Sequence, residues 1–186
     1  MSKLLASIKE AIEKCELRDG MTISFHHHMR NGDYVLNMVL DEIAKMGIKD
    51  LTVNASSVFD VHEPIIGHIK NGVVTGIECN YMGGKVGKPI SEGIMDKPVI
   101  FRSHGGRASD MEKGTSVIDV AFIAAPTADD MGNCTGKVGK SACGSIGYAF
   151  ADAMNAKKVV VITDNLVEYP LVDFSIPEVY VDYVVA

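Results

Sequence analysis

The 186-residue sequence predicts an α/β fold with a largely parallel sheet flanked by helices. Strand-like and helix-like segments alternate along the chain. The segment KVVVIT at 158–163 is almost entirely β-branched, as in strands of a parallel sheet that is buried on both faces. Polar and glycine-containing turns follow several of the strand-like segments, and ligands bind at this edge of open α/β sheets. The sequence therefore predicts both a fold and the edge of the sheet at which to search for a site.

Four segments have the periodicity of amphipathic helices, with apolar residues on one face and polar residues on the other. They are residues 3–16, 33–46, 62–70 and 145–155. Turn-forming residues define their limits: Asp19-Gly20 follows the first helix, Gly47 stops the second, and Pro64 suits the first turn of the third. A further short helix within a loop is expected in the glycine-rich segment 81–93.

Seven short apolar segments, bounded by turn residues, are predicted to be strands. They are residues 21–25, 51–53, 73–79, 98–102, 117–124, 158–163 and 181–185. The sequence does not determine the order of these strands in the sheet. Since no repeat or linker interrupts the alternation, a single domain is predicted over residues 1–186.

Composition excludes several classes of protein. Apolar residues make up 47% and charged residues 23%, which is typical of a soluble globular protein. A net charge of −6 without a lysine or arginine cluster argues against a nucleic-acid partner. No apolar run reaches the roughly 20 residues of a membrane span. The four cysteines form no CxxC pair, so neither a disulfide nor a zinc framework is predicted, and a reduced, cytoplasmic protein is expected.

The segment TISFHHHMRNGD at 22–33 is the centre of the predicted site. It reads as a strand, a polar turn with three histidines and Arg30, and the start of a helix. Because alternate residues of an extended chain share a face, His26 and His28 are expected to converge while His27 points away. Neutral imidazoles can donate to a thioester carbonyl or to a carboxylate. His26 and His28 are therefore the predicted catalytic residues.

Polar residues after the other strands are predicted to form a rim that binds a carboxylate-rich ligand or a phosphate. The candidates are Arg30, Ser56, Ser57, Arg102, His104, Gly105, Gly106, Arg107, Ser141, Gly144, Ser145 and Asn165. The two glycines of SHGGR at 103–107 would let the backbone approach a ligand, and Arg102 or Arg107 would clamp a carboxylate. The small residues 141–145 would supply backbone donors. Asn165 would orient the substrate.

The sequence also contains partial patterns of other site chemistries. The triplet Gly139-Lys140-Ser141 lacks the leading glycine of a P-loop, since position 134 is a cysteine, and an NTPase is therefore rejected. A histidine metal site would need ligands from elsewhere in the chain, and no metal is predicted, although a metalloenzyme stays an alternative. Cys143 is either a nucleophile or a packed thiol. Asp164 is either an orienting acid or a cap for its loop.

Several long segments of the sequence resemble the α chain of bacterial citrate lyase. They are DGMTISFHHHMRNGDYVLN at 19–37, SSVFDVHEP at 56–64, HIKNGVVTGI at 68–77, FRSHGGR at 101–107, DVAFIAAPTADDMGN at 119–133, GKSACGS at 139–145 and VVVITDNLV at 159–167. The resemblance extends from about residue 19 to the end of the chain. It is more specific than any short motif because so many strings occur in one order.

The resemblance implies a CoA-transferase-like domain, of the NagB/RpiA/CoA-transferase type, that transfers citrate onto a thioester in exchange for acetate. The thioester would belong to CoA or to the phosphopantetheine-type arm of a carrier protein. It would be a substrate, and no covalently bound cofactor is implied. The citryl thioester would then be cleaved to oxaloacetate and an acetyl thioester. The implied partners are the acyl-carrier (gamma) and lyase (beta) subunits of an oligomeric citrate lyase complex.

The α chains of this family resemble two such halves, and this sequence corresponds to the amino-terminal one. The carboxy-terminal half is therefore a further implied partner. CoA-transferases with a catalytic glutamate carry it in the second half, so no residue here takes that role. A stand-alone module of the same fold that binds a small anion or a sugar phosphate is the alternative function. The sequence does not distinguish citrate from citramalate as the substrate.

Overall fold

The computed structural model describes residues 2–186, apart from the side chain of Asn31. Its strands are β1 (Leu4–Leu5), β2 (Thr22–Phe25), β3 (Leu51–Ala55), β4 (Val74–Cys79), β5 (Ile100–Phe101), β6 (Val120–Ala125), β7 (Thr127–Asp129), β8 (Cys134–Thr135), β9 (Lys158–Thr163), β10 (Leu166–Val167) and β11 (Tyr183–Val185). Its α-helices are α1 (Ile8–Lys14), α2 (Val35–Lys45), α3 (Ile65–Lys70), α4 (Gly84–Ser91), α5 (His104–Glu112) and α6 (Ala149–Asn155). Short 3-10 turns cover Arg30–Gly32, Asp60–His62 and Glu178–Tyr180.

Within residues 2–186 the main sheet has eight strands in the order β1-β11-β9-β6-β2-β3-β4-β5, and all its neighbouring strands are parallel. The predicted α/β class is therefore confirmed. From β2 the chain builds outward through β3 and β4, and then returns to add β6 on the other side of β2. The strand order thus reverses between β2 and β6, and ligands bind at such a switch point in open α/β sheets.

Helices cover both faces of the sheet. One apolar core packs α1, α2, α3 and α4 against one face, and it includes Ile23 and Phe25 of β2. A second core packs α5, α6 and a small three-stranded sheet, β10-β7-β8, against the other face. Because side chains alternate along a strand, the residues that follow Phe25 point in turn toward the two faces. Within residues 2–186, no helix has the length and apolar character that a membrane crossing requires.

Several predicted boundaries were wrong, for local reasons. Leu4–Leu5 is an edge strand paired with β11, and the first helix begins only after Ser7, whose hydroxyl accepts the Glu10 N–H. No helix was predicted for the segment 103–107 that follows the strand, but Ser103 caps α5 there. The small sheet was not predicted. It depends on the buried carboxylate of Asp129, which accepts the backbone N–H groups of residues 131, 132 and 133.

A buried ion pair joins the two helices on the second face. The Arg107 guanidinium of α5 contacts both oxygens of Asp152 on α6, at 2.6 and 2.9 Å. Its Nε donates to the side chain of Asn54 on β3, at 2.6 Å. The side chains of Arg107 and Asp152 are 3% and 1% exposed. Because a buried charge is tolerated only with its partner, this pair holds α5 and α6 together against the sheet.

Replacing one member of this pair is expected to be costly. We expect Arg107→Met to lower the free energy of unfolding by about 3–5 kcal/mol, because it leaves the Asp152 carboxylate buried without a counter-charge. The double variant Arg107→Met/Asp152→Leu is expected to recover most of that loss. Urea unfolding measures both values, with Arg18→Met at an exposed arginine as the control. A single variant as stable as the control would show that the pair does not hold these helices.

Candidate functional site

The three histidines leave the sheet at the centre of its carboxyl edge, directly after β2. The Nδ1 atoms of His26 and His28 lie 3.3 Å apart, and their rings stack with centroids 5.5 Å apart. His27 turns toward the opposite side and contacts Asp33 at 3.1 Å. The alternation that the sequence predicted for this segment is therefore confirmed.

Burial keeps the His26–His28 pair uncharged. Burial lowers the pKa of His26 to about 3, although the nearby charge of Asp152 acts in the opposite direction. Burial also lowers the pKa of His28, against opposing contributions from Asp33 and the Ala124 carbonyl. The Nε2 atoms of both rings, like that of His27, are buried and have no hydrogen-bond partner among residues 2–186. Since buried polar groups normally have partners, these ring nitrogens are candidates for contact with a ligand.

Asp33 links the histidine turn to both of its neighbours. One carboxylate oxygen contacts Nδ1 of His27, and the other accepts the Val35 N–H at the start of α2. The backbone carbonyl of Asp33 accepts a hydrogen bond from Nε2 of His62, at 2.9 Å. Burial by itself would raise the pKa of Asp33, but the His27 hydrogen bond and charge and the Val35 N–H together lower it. Asp33 is therefore an ionised residue inside the protein.

His62 is held in one tautomer by two backbone contacts. Its Nδ1 accepts the Phe59 N–H at 3.0 Å, so its hydrogen resides on Nε2, which faces the Asp33 carbonyl. Burial, together with the nearby His27, lowers the pKa of His62 to about 4. Its ring packs against that of His27 at 4.1 Å between centroids. These contacts fasten the turn after β3 to the turn after β2.

An open cleft of about 470 Å³ lies over these two turns. The lining residues are His26, His27, His28, Arg30, Ser56, Ser57, Phe59, Tyr81 and His104. The Ser56 hydroxyl accepts the His27 N–H at 3.2 Å and so joins the two walls. The rings of Phe59 and Tyr81 pack against each other on one side, 5.5 Å apart. The cleft combines imidazole and hydroxyl groups that can form hydrogen bonds, an arginine and an aromatic wall.

The structure brings six of the predicted site residues together in this cleft. They are His26, His28, Arg30, Ser56, Ser57 and His104. Phe59 and Tyr81 were missed, although Phe59 lies only two residues beyond the predicted Ser57. Asp33 was also missed, and its position at the start of a predicted helix, seven residues after the first histidine, was the available indication.

The prediction that Arg102 or Arg107 clamps a carboxylate of the ligand was wrong. Arg102 contacts Asp110 at 2.6 Å and Glu78 at 2.7 Å, and Arg107 is buried against Asp152. Both guanidinium groups are already paired with carboxylates and do not line the cleft. The sequence showed their position after a strand but not these partners. Arg30 is the predicted arginine that does line the cleft.

Gly105 and Gly106 also have a structural explanation. Both lie in the first turn of α5, where the Gly106 N–H donates to Ser103 Oγ at 3.0 Å. A Cβ at Gly106 would lie 2.8 Å from that hydroxyl, whereas a Cβ at Gly105 would meet no atom. The cap of α5, rather than a ligand, accounts for the glycine at 106.

The predicted donors of residues 141–145 are largely occupied within their own loop. The N–H groups of Cys143 and Gly144 both donate to the Gly136 carbonyl, at 2.8 and 2.9 Å. Ser145 Oγ accepts the N–H of Gly147. The backbone N–H group predicted to bind a ligand at Gly144 therefore already has a partner.

Two further predicted residues stabilise the neighbouring turn. Ser141 donates to Asp164 at 3.1 Å, so Asp164 acts as the loop cap that the sequence allowed. Asn165 donates to Thr127 at 2.8 Å and so helps to hold the small sheet.

Partial burial and the charge of Asp33 raise the pKa of Cys143, which disfavours a reactive thiolate. Within residues 2–186, no three histidine, cysteine, aspartate or glutamate side chains converge to hold a metal ion.

The buried neutral histidines should make the fold acid-sensitive. In the unfolded chain His26, His28 and His62 have pKa values near 6.5, so below about pH 6.5 the unfolded state binds more protons than the folded state. We expect the free energy of unfolding to fall with decreasing pH, by up to about 1.4 kcal/mol per pH unit for each histidine. This loss extends toward pH 4 for His62 and pH 3 for His26.

Urea unfolding at pH 7.5, 6 and 5 measures this dependence. His62→Gln removes one of the three groups and should make the slope shallower. A stability that does not change between pH 6.5 and 5 would contradict the buried neutral state.

Comparisons with known proteins agree on one family. The family model "Citrate lyase, alpha subunit" matches residues 1–186. The citrate lyase alpha chain of Haemophilus influenzae is 50% identical over 183 residues, and that of Escherichia coli is 48% identical over the same length. Both matches cover 98% of this chain but only 37% and 36% of the relatives, so the chain spans little more than a third of their length.

Solved structures give the same result. A crystal structure from Streptococcus mutans, described as the α subunit of citrate lyase in complex with citrate, is 60% identical with a TM-score of 0.98. This match covers the whole of our chain and 36% of that one. Glutaconate coenzyme A-transferase from Acidaminococcus fermentans has a TM-score of 0.69 at 18% identity, over 99% of our chain and 75% of its own. This second likeness shows a CoA-transferase-like fold. The chain belongs to the citrate lyase α-subunit family.

Proposed function

We propose that this chain binds citrate in the cleft and transfers it onto a thioester in exchange for acetate. The observation that carries this proposal is the cleft itself, which is lined by Arg30 and by three histidines whose Nε2 atoms have no hydrogen-bond partner among residues 2–186. The Streptococcus mutans relative, which is described as a complex with citrate, supports the choice of acid.

The reaction we propose exchanges one acyl group for another in two steps. A carboxylate oxygen of citrate attacks the acetyl carbonyl carbon. The carbon–sulfur bond then breaks, so that the thiolate departs and a mixed anhydride of acetate and citrate is formed. The thiolate then attacks the citryl carbonyl, and acetate departs with the bridging oxygen. Each step passes through an oxyanion, which donors in a partly desolvated cleft would stabilise.

The cleft residues would share these tasks. Arg30 would hold a carboxylate of citrate, because a guanidinium can donate two parallel hydrogen bonds to it. His26 and His28 would contact the reacting acid through their Nε2 atoms. Ser56, Ser57 and His104 are the further proposed contacts, while Phe59 and Tyr81 would exclude water from one side. The thioester of CoA, or of a phosphopantetheine-type carrier arm, would enter as a substrate, without a covalently bound cofactor.

The proposed setting is a cytoplasmic complex. The proposed partners are the acyl-carrier and lyase subunits and the remaining part of the α chain, in an oligomer without nucleic acid or membrane. The chain spans only about 36–37% of the length of its α-chain relatives, so the remaining part of the α chain would supply the rest of the transferase.

Acetyl transfer from acetyl-CoA to labelled citrate tests the proposal. It is measured with this chain alone and with a second polypeptide that supplies the rest of the relatives' length. Citryl-CoA formation in either sample supports the proposal, and formation only in the mixture locates part of the site on the second polypeptide. If the assembled mixture forms no citryl-CoA, the transfer reaction is wrong. Small-anion binding would then become the better function.

Arg30 offers a sharper test of acid binding. We expect Arg30→Gln to weaken citrate binding about 10- to 100-fold, because it removes a charge-assisted hydrogen bond to a carboxylate. Calorimetry of citrate binding measures the effect. Arg18→Gln is the control, since Arg18 is an exposed arginine that does not line the cleft. Equal losses in both variants would point to net charge rather than to contact at Arg30.

A further inference from the structure

The His26–His28 pair has a property that single histidines lack. Their Nδ1 atoms are 3.3 Å apart, so one of these atoms donates a hydrogen and the other accepts it. A neutral imidazole carries one N–H. The ring that donates through Nδ1 therefore has a bare Nε2, and its neighbour carries its hydrogen on Nε2. The pair thus presents one acceptor and one donor.

Both of these Nε2 atoms lack a hydrogen-bond partner among the described residues. Each is buried without a hydrogen bond among the described residues 2–186, and His26 is only 7% exposed. The Nε2 atom of His27 is in the same state, but that ring lies outside the pair and contacts Asp33 through Nδ1. Both rings line the cleft. Burial lowers the pKa of both rings, so the neutral state, and with it the one-donor, one-acceptor arrangement, is the relevant one at neutral pH.

We infer that the His26–His28 pair recognises a hydroxyl group on the bound acid and thereby makes the site specific for hydroxy acids. This inference rests on the proposed function, in which the cleft binds a carboxylate-rich acid. The bare Nε2 needs a hydrogen donor. A hydroxyl can supply one, whereas an ionised carboxylate offers only lone pairs.

The same geometry corrects the expectation that both histidines act as donors. Only one of the two can donate through Nε2 while the Nδ1–Nδ1 hydrogen bond is present. The donating ring is then free to contact a carboxylate oxygen of the acid whose hydroxyl faces the other ring. The pair therefore matches a carbon that bears a hydroxyl close to a carboxylate.

An acid without the hydroxyl should bind poorly. It would leave the bare Nε2 buried opposite a C–H group or a carboxylate oxygen, with its hydrogen bond unmade. Citrate and propane-1,2,3-tricarboxylate form the test pair, since they share three carboxylates and differ in the hydroxyl. Malate and succinate form a second, smaller pair.

Calorimetry at pH 7.5 measures these affinities, with this chain alone and with the polypeptide that supplies the rest of the relatives' length. We expect the hydroxy acid of each pair to bind 10- to 100-fold more tightly. In His28→Ala the ratio should fall below about threefold, because the freed His26 ring can adopt either tautomer. His68→Ala is the matched control, since His68 lies on α3 and does not line the cleft.

A measurement on the unmodified protein does not depend on how the variants fold. In a ¹⁵N-histidine spectrum at pH 7.5, we expect one ring of the pair protonated at Nδ1 and the other at Nε2. Two rings in the same tautomer would overturn the inference. So would equal affinities within both pairs of acids, although acid binding itself would then stand. Binding of none of the four acids, even in the assembled mixture, would overturn the proposed function and this inference with it.

Discussion

The buried carboxylate of Asp33 is the contact on which the geometry of the site depends. Its side chain and carbonyl together contact His27, the first turn of α2 and His62. These three groups belong to the connections after β2 and β3, which are neighbouring strands, and β2 borders the switch point of the sheet. A charge that is 1% exposed is stable only where such contacts replace water. Asp33 therefore couples the position of the histidine turn to the integrity of the fold.

The neutral state of His26 and His28 comes from burial, since Asp33 itself acts to raise the pKa of His28. His26 and His28 sit where the sheet, α6 and the adjacent loops exclude water, and desolvation is the largest influence on the pKa of each. Arg30, which also lines the cleft, lies on a backbone with φ of +53°. A non-glycine residue rarely adopts this conformation. A strained, positively charged turn beside neutral rings suits a ligand that carries both carboxylates and uncharged polar groups.

Much of the fold was predictable because the spacing of apolar residues along the sequence indicates which face of a helix or strand is buried. The nearly unbroken β-branched run at 158–163 is β9, an interior strand of the sheet, and the 33–46 pattern contains α2. The histidine turn was predictable because side chains alternate along extended chain. What could not be predicted depends on long-range pairing. Arg107 meets Asp152, 45 residues away, and the sequence shows neither that contact nor the strand order that creates it.

The arginines outside the cleft, Arg102 and Arg107, belong to a polar network at the edge of the sheet. Arg102 pairs with Glu78 and Asp110, and Glu78 also accepts hydrogen bonds from Asn54 and Ser116. Asn54 in turn accepts from Arg107, so one polar network runs from the edge of the sheet to α6. If either guanidinium turned to a ligand, it would leave carboxylates poorly compensated in the interior. The network therefore keeps these arginines structural. The paired imidazoles and Arg30, by contrast, line the cleft.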